Sequence, residues 1–164
     1  MKISYFDNIT SKPAHVEIEA VIAQIKGDRF KKQIEEIRAA DEKTQERLKK
    51  ELPGVTFGGT FKTRSMKGLL QASGLLCLDF DTPGYVCPDS LLPFMDASFR
   101  SPRGGLKIVV RIPVVTDDAE FKGIFRALEI DYPDTDPSGK DISRICFFSW
   151  DPELYLNEQA EVWQ

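Results

Sequence analysis

Gly74-Leu75-Leu76-Cys77-Leu78-Asp79-Phe80-Asp81 is the most strand-like apolar run in the chain, and it ends in two aspartates one residue apart. Side chains alternate across a strand, so Asp79 and Asp81 are expected on one face. Two carboxylates a few Å apart repel unless a cation lies between them, and a hydrophobic strand is a costly place to hold such a pair. A divalent metal is the simplest remedy. Oxygen ligands of this kind suit Mg²⁺ or Mn²⁺, which rest on one or two carboxylates and take other ligands from water and substrate phosphates. The plainer alternative is that the strand ends in a polar turn, Asp81-Thr82-Pro83-Gly84, since aspartate is a common turn residue.

Downstream of this run the punctuation is regular. Pro88 to Met95 reads as a short helix opened by proline, Ala97 to Ser101 as a strand, Pro102-Arg103-Gly104-Gly105 as a hairpin turn, and Leu106 to Ile112 as a strand. Asp117 or Asp118 caps a helix with Phe121, Ile124, Phe125 and Leu128 on its apolar face, and Arg144 to Ser149 reads as a last strand. The order is βαββαβ. It predicts an α+β fold with a ferredoxin/RRM-like core over residues 73–164, in which the first and third strands are central neighbours. Asp79 and Asp81 would then lie beside Lys107, whose flanking Leu106 and Ile108 point to the opposite face. The alternative for Lys107 is a lysine on the solvated side of a half-buried strand.

Upstream, Lys2 to Phe6 alternates like a short strand. Apolar residues then recur at helical spacing from His15 to about Ile25 (Val16, Ala20, Ala23) and from Asp28 to about Ala39 (Phe30, Ile34, Ile37), with Gly27 between. Asp41 suits the N-cap of a third helix, Glu42 to Leu52, so charged that only Leu48 and Leu52 can anchor it; it reads as a solvated face. Val55 to Phe61 reads as one strand bulged at Gly58-Gly59. No linker interrupts the chain. The reading is one domain, 1–164, with a helical N-terminal portion plus strand over 1–72.

Composition narrows the functional classes. The 164 residues carry a net charge of −4 and a sequence pI of about 5.1, which argues against coating nucleic acid through bulk charge. Between Phe57 and Arg111, however, basic residues exceed acidic ones by three. Cys77, Cys87 and Cys146 form no CxxC or Cys/His spacing, so they read as reduced core thiols of a cytoplasmic protein, with no zinc site. No apolar segment is long enough to span a bilayer, and no signal-peptide pattern opens the chain. His15, the single histidine, reads as a surface or capping residue. Neither Gly58-Gly59 nor Gly104-Gly105 continues into a phosphate-loop or dinucleotide pattern. Phe57, Phe61 and Phe99 could stack on bases beside the basic residues, although phenylalanines at strand positions are more often core.

The run at 74–81, the segment Phe99-Arg100-Ser101-Pro102-Arg103-Gly104-Gly105-Leu106-Lys107 and the segment 136–149, opening Asp136-Pro137-Ser138-Gly139-Lys140-Asp141, together resemble the N-terminal domain of virulence-associated protein E (VirE-N). The resemblance implies the archaeo-eukaryotic primase superfamily and a bacterial mobile-element or phage DNA replication protein with a helicase-like ATPase in the same polypeptide. It implies that Asp79 and Asp81 are the metal pair, with Asp136, or failing it Asp141, as third acid. Lys107 stands where histidine is usual. Lys62, Arg64, Arg100, Ser101, Arg103, Lys107 and Arg144 are then expected to contact nucleotide or nucleic acid. One implied function is metal-dependent nucleotidyl transfer on a primer-template, Asp79, Asp81, Lys107 and Asp136 being catalytic. Another is a non-catalytic module that binds single-stranded DNA or a nucleoside triphosphate, and a third is a metal-free structural domain.

Overall fold

The computed structural model describes residues 1–164. Strand β1 (Lys2–Phe6) pairs antiparallel with β2 (Ala14–Glu17), Ser4 facing His15. Helical spacing from His15 is therefore overridden at its start: pairing with β1 holds residues 14–17 extended, and helix α1 (Ile18–Lys26) begins only at Ile18. His15 is exposed, with Nε2 3.2 Å from the Phe61 carbonyl. Helix α1 buries Ile18, Val21, Ile22 and Ile25, and after a 3₁₀ turn (Asp28–Phe30) helix α2 (Lys31–Ala39) buries Ile34 and Ile37. Helix α3 (Glu42–Lys49) is capped by Asp41, which accepts the Thr44 N–H at 3.1 Å, and has no fully buried residue.

The expected strand Val55 to Phe61 divides in two. Strand β3 (Gly54–Thr56) joins β1, whereas β4 (Gly59–Phe61) pairs with β5 (Leu69–Ala72) in a separate ribbon. Gly59 makes the change of direction at φ +151°, a conformation that side chains rarely adopt.

Strands β6 (Leu75–Phe80), β7 (Met95–Arg100) and β8 (Leu106–Arg111) follow. As expected from making the first and third strands of the βαββαβ order neighbours, β8 lies beside β6, with β7 on its other side, all antiparallel, and Asp79 is directly opposite Lys107. One face of this sheet carries Leu76, Leu78, Phe80, Ile108 and Val110 against Phe121, Phe125 and Leu128 of helix α4 (Asp118–Asp131). The other face carries Leu75, Ala97, Phe99 and Val109 against α1, α2 and the first sheet. Two apolar cores thus sandwich the sheet, and the face shared by Asp79 and Lys107 looks toward the N-terminal elements.

The chain is a mixed α/β protein with antiparallel sheets ordered β2-β1-β3-β9 and β10-β7-β8-β6, where β9 is Cys146–Phe147 and β10 is Tyr155–Leu156. The full βαββαβ expectation is corrected at two points. Between β6 and β7 stands a 3₁₀ turn (Asp89–Phe94) with Pro93 inside it, in place of an α-helix. The last strand does not pair with β6. Asp136 makes one ladder-like contact, its N–H donating to the Asp79 carbonyl at 2.7 Å, and the chain then curls into a 3₁₀ turn (Pro137–Lys140). The cause is local chemistry: Pro137 has no N–H for a ladder, and the Asp136 and Asp141 side chains capture the N–H groups of Ser138 and Ser143, both at 2.9 Å. By the time the chain is extended again it has reached β3, which pairs with it as β9.

Helix α4 starts with a reciprocal cap. Asp117 accepts the Glu120 N–H at 2.9 Å, and Glu120 accepts the Thr116 N–H at 2.7 Å. Asp117→Ala should lower stability by about 1 kcal/mol, read as a shift in urea midpoint without change in slope.

Candidate functional site

Lys107 is the most unusual side chain in the protein. It lies mid-strand with 7 % of its side chain exposed, and its ammonium donates to Asp79 Oδ2 across the β6–β8 pair. Burial penalises its charge, but the Cys146 sulfur, the Asp79 carboxylate and Cys77 outweigh that penalty and hold the lysine more basic than usual. Asp79 Oδ1 is buried and has no hydrogen-bond partner. A buried acceptor left open beside a buried cation is an energetic cost that a hydrogen-bond donor, such as a water or a ligand hydroxyl, can remove.

These groups floor a cavity of about 220 Å³. One wall is α3 with the residue after it, giving Glu46, Lys49 and Lys50; the other is the segment after the 3₁₀ turn, giving Ser138, Gly139, Asp141, Ile142 and Arg144; Cys77 and Cys146 complete the base. Helical spacing aligns Glu46, Lys49 and Lys50 on one face, where Lys50 pairs with Glu46 at 3.1 Å. Lys49 has no such partner. Its ammonium lies 5.8 Å over the Phe147 ring, and burial, then the charge of Lys107, make it less basic than an ordinary lysine. On the rim, Arg144 approaches Asp136 at 3.6 Å, half-exposed. Burial of Asp136 opposes its charge, but hydrogen bonds from Ser138 and the Arg144 charge keep its carboxyl below the usual carboxylate range.

Of the residues expected from sequence, Asp79, Lys107, Arg144 and Asp141 meet at this cavity. Asp81 is exposed just past the end of β6, near enough to attract Lys49 but not part of the lining. Asp136 lies behind the lining, its two oxygens engaged by Ser138. Lys62 is exposed on the ribbon end, and Arg64 reaches toward the Ile9 carbonyl. Arg100 donates to the Tyr85 carbonyl, Ser101 is buried in the hairpin, and Arg103 lies 3.8 Å from Glu42 and Glu46 of α3 without lining the cavity. The seven expected contact residues therefore do not form one surface. Phe57, Phe61 and Phe99 are buried in the core.

The expected metal set does not assemble here: no group of three His, Cys, Asp or Glu side chains is arranged to hold an ion. Lys107 already occupies Asp79 Oδ2, and Asp136 is turned onto its own loop. These residues do not fit Mg²⁺ or Mn²⁺ as arranged, and no chemical step is derived through a metal.

A family model described as BT4734-like, N-terminal domain matches residues 47–156, about two thirds of the chain. The chain belongs to the BT4734-like N-terminal domain family. The matched residues include Lys49, β3, the whole β10-β7-β8-β6 sheet and the segment that walls the cavity, so all of the lining except Glu46 lies inside the family's domain. This corrects the resemblance to VirE-N and the primase superfamily: the matching family is a different one, and the replication and nucleotidyltransferase reading that rested on the resemblance loses its support. Among curated proteins and among solved structures, nothing matches. No helix is long and apolar enough to cross a membrane.

Signals for what sequence reasoning missed were present but faint. Leu48 packs on the core, which fixes the roll of α3 and turns Glu46 and Lys49 toward β6. Cys146 follows from pairing with β3, which no local pattern specifies.

Proposed function

We propose that this domain is a non-catalytic binding module for the phosphate end of a larger ligand, a nucleotide or a single-stranded nucleic acid. The observation that carries the reading is the convergence of two largely buried ammonium groups, Lys49 and Lys107, on one cavity whose carboxylates are each engaged, Asp79 by Lys107, Glu46 by Lys50 and Asp141 by Ser143, which leaves Lys49 with no ion-pair partner. An anion seated there offsets the repulsion between the lysines and takes hydrogen bonds from both; Arg144 on the rim adds a planar donor fork. Size sets the ligand portion. Ligand pockets usually span about 300–1,000 Å³. At about 220 Å³ this one suits a phosphate or sugar-phosphate, with the rest of the molecule outside. The β7-β8-β6 order with α4 behind it supports a frame derived from the ferredoxin-like pattern whose fourth strand has been given up. Three unbridged thiols support a reducing, cytoplasmic setting.

Titration with a nucleoside triphosphate and with a single-stranded oligonucleotide tests the reading, with inorganic phosphate as the minimal probe. Binding should weaken with added salt and be unchanged by chelator. Lys49→Gln should lower affinity about tenfold, the loss of one charge-assisted hydrogen bond. Affinity should also fall as pH rises through the lowered Lys49 pKa, because only the protonated amine holds the anion. Absence of binding at low salt, or binding indifferent to Lys49→Gln, overturns the proposal.

A further inference from the structure

A second cavity, of about 580 Å³, shares no lining residue with the first. Its volume lies in the range usual for small-molecule sites, about 300–1,000 Å³. Ile18 and Ile22, one turn apart on α1, and Leu156 of β10 give it apolar walls. The polar part of the lining is an ion pair drawn well out of water, Asp96 of β7 with 10 % of its side chain exposed and Arg111 of β8 with 31 %. Placing two charges there is expensive and adds little to stability, which makes a binding role the more economical account of them.

Asp96 reaches this cavity because β7 is bulged. Met95 packs in the core beneath α4 and Ala97 in the core beneath α1, although residues two apart on a regular strand share a face. The ladder slips between them: Met95 faces Val110 and Ala97 faces Val109, which leaves Asp96 as the extra residue. Bulges re-aim side chains, and this one brings a carboxylate to the α1 side of the sheet.

Arg111 engages only one of the two carboxylate oxygens. Its Nε, at 3.1 Å, and its Nη2 both donate to Asp96 Oδ1, and no hydrogen bond takes up Oδ2. Glu19 and Glu158 add two more carboxylates to the lining. The other cation there, the Met1 ammonium, is held by Glu17 at 3.0 Å and lies 3.8 Å from Glu19. Both cations of the lining are thus engaged, whereas Asp96 Oδ2 and the whole of Glu158 are unpaired.

We propose that this cavity binds an alkylamine, its ammonium held by Asp96 Oδ2 and Glu158 and its chain lying along Ile18, Ile22 and Leu156. Unused carboxylate oxygens beside cations that already have partners favour a cationic head over an anionic one, and an ammonium brings three donors to them. Apolar wall extends to the mouth, where Leu156 is 45 % exposed, so the body of the ligand is hydrocarbon as well, which suits a free amine better than a lysine flanked by polar backbone.

The test titrates the full chain with hexylamine, hexanol and hexanoate and follows the backbone amide signals by NMR. Hexylamine should bind saturably, with shifts centred on Ile22, Asp96 and Leu156, about tenfold more tightly than hexanol and more tightly still than hexanoate. Glu158→Gln, at an exposed position, should weaken hexylamine several-fold and leave hexanol unchanged. Absence of saturable binding, hexanoate binding as tightly as hexylamine, affinity indifferent to Glu158→Gln, or shifts centred on Lys49 and Lys107 instead would overturn the proposal.

Discussion

Lys107→Met should destabilise the protein by about 3–5 kcal/mol, because it leaves the Asp79 carboxylate buried with no cation. That is a large fraction of the roughly 5–15 kcal/mol that holds a domain of this kind together. Asp79 is only 17 % exposed, and one of its oxygens already lacks a partner, so water cannot readily replace the ammonium. The effect has a pH signature. In the unaltered protein, Lys107 has a raised folded pKa. Its contribution is complete below the ordinary lysine pKa and is lost as pH rises through the folded value. Urea melts of the unaltered protein at pH 9 and pH 11 follow that alkaline loss, which Lys107→Met should no longer show. The double variant Lys107→Met with Asp79→Leu should recover most of the loss, since apolar residues of similar volume replace a buried pair without leaving a charge behind. A single variant within about 1 kcal/mol of the parent, or a double variant no better than the single, would show that the pair does not anchor β6 to β8.

Phe125→Ala should be comparably severe, about 3–5 kcal/mol, as for other fully buried phenylalanines. Phe125 is 0 % exposed on α4 and is the surface on which the cavity wall rests: a Cβ on Gly139 would lie 2.7 Å from its Cε2 atom. The 3₁₀ turn at Pro137–Lys140 rests on α4 through this contact and is held beside β6 by the Asp136-to-Asp79 hydrogen bond. Loss of the ring should therefore loosen the wall selectively. Hydrogen exchange at the Gly139 and Asp141 amides should accelerate more than exchange in α2. Phe125→Leu, which keeps most of the volume, should cost much less. Uniform acceleration across the chain would mean that the turn has no local dependence on Phe125.

The sequence was most legible where chemistry was local and periodic. The apolar runs Leu75 to Asp81 and Leu106 to Ile112, with a glycine-rich turn before the latter and the βαββαβ order to make them neighbours, placed Asp79 beside Lys107. The Asp41 and Asp117 caps were visible for the same reason. Long-range competition was not visible. Residues 14–17 carry helical spacing yet are taken into a strand by β1, and Cys146 and Phe147 are claimed by β3 although β6 has no strand paired on its outer side. The cavity wall from α3 was read as solvent-facing because charge was counted without the roll of the helix, which Leu48 decides. The family resemblance drawn from short motifs failed differently: acid-x-acid at a strand end occurs wherever a strand meets a turn, and it does not fix ancestry.

The curl at Pro137 also bears on how copies of this protein coexist at high concentration. A long open rim on β6 would be a template on which another molecule could add a strand, the first step toward fibrous aggregates. The proline-led turn lies across that rim with few amides to offer, and the two-residue β10 covers the opposite side of the sheet at β7. Forgoing a fourth paired strand thus gives the sheet a blunt margin, and the same stretch of backbone that shapes the binding cavity also keeps neighbouring molecules from zipping together.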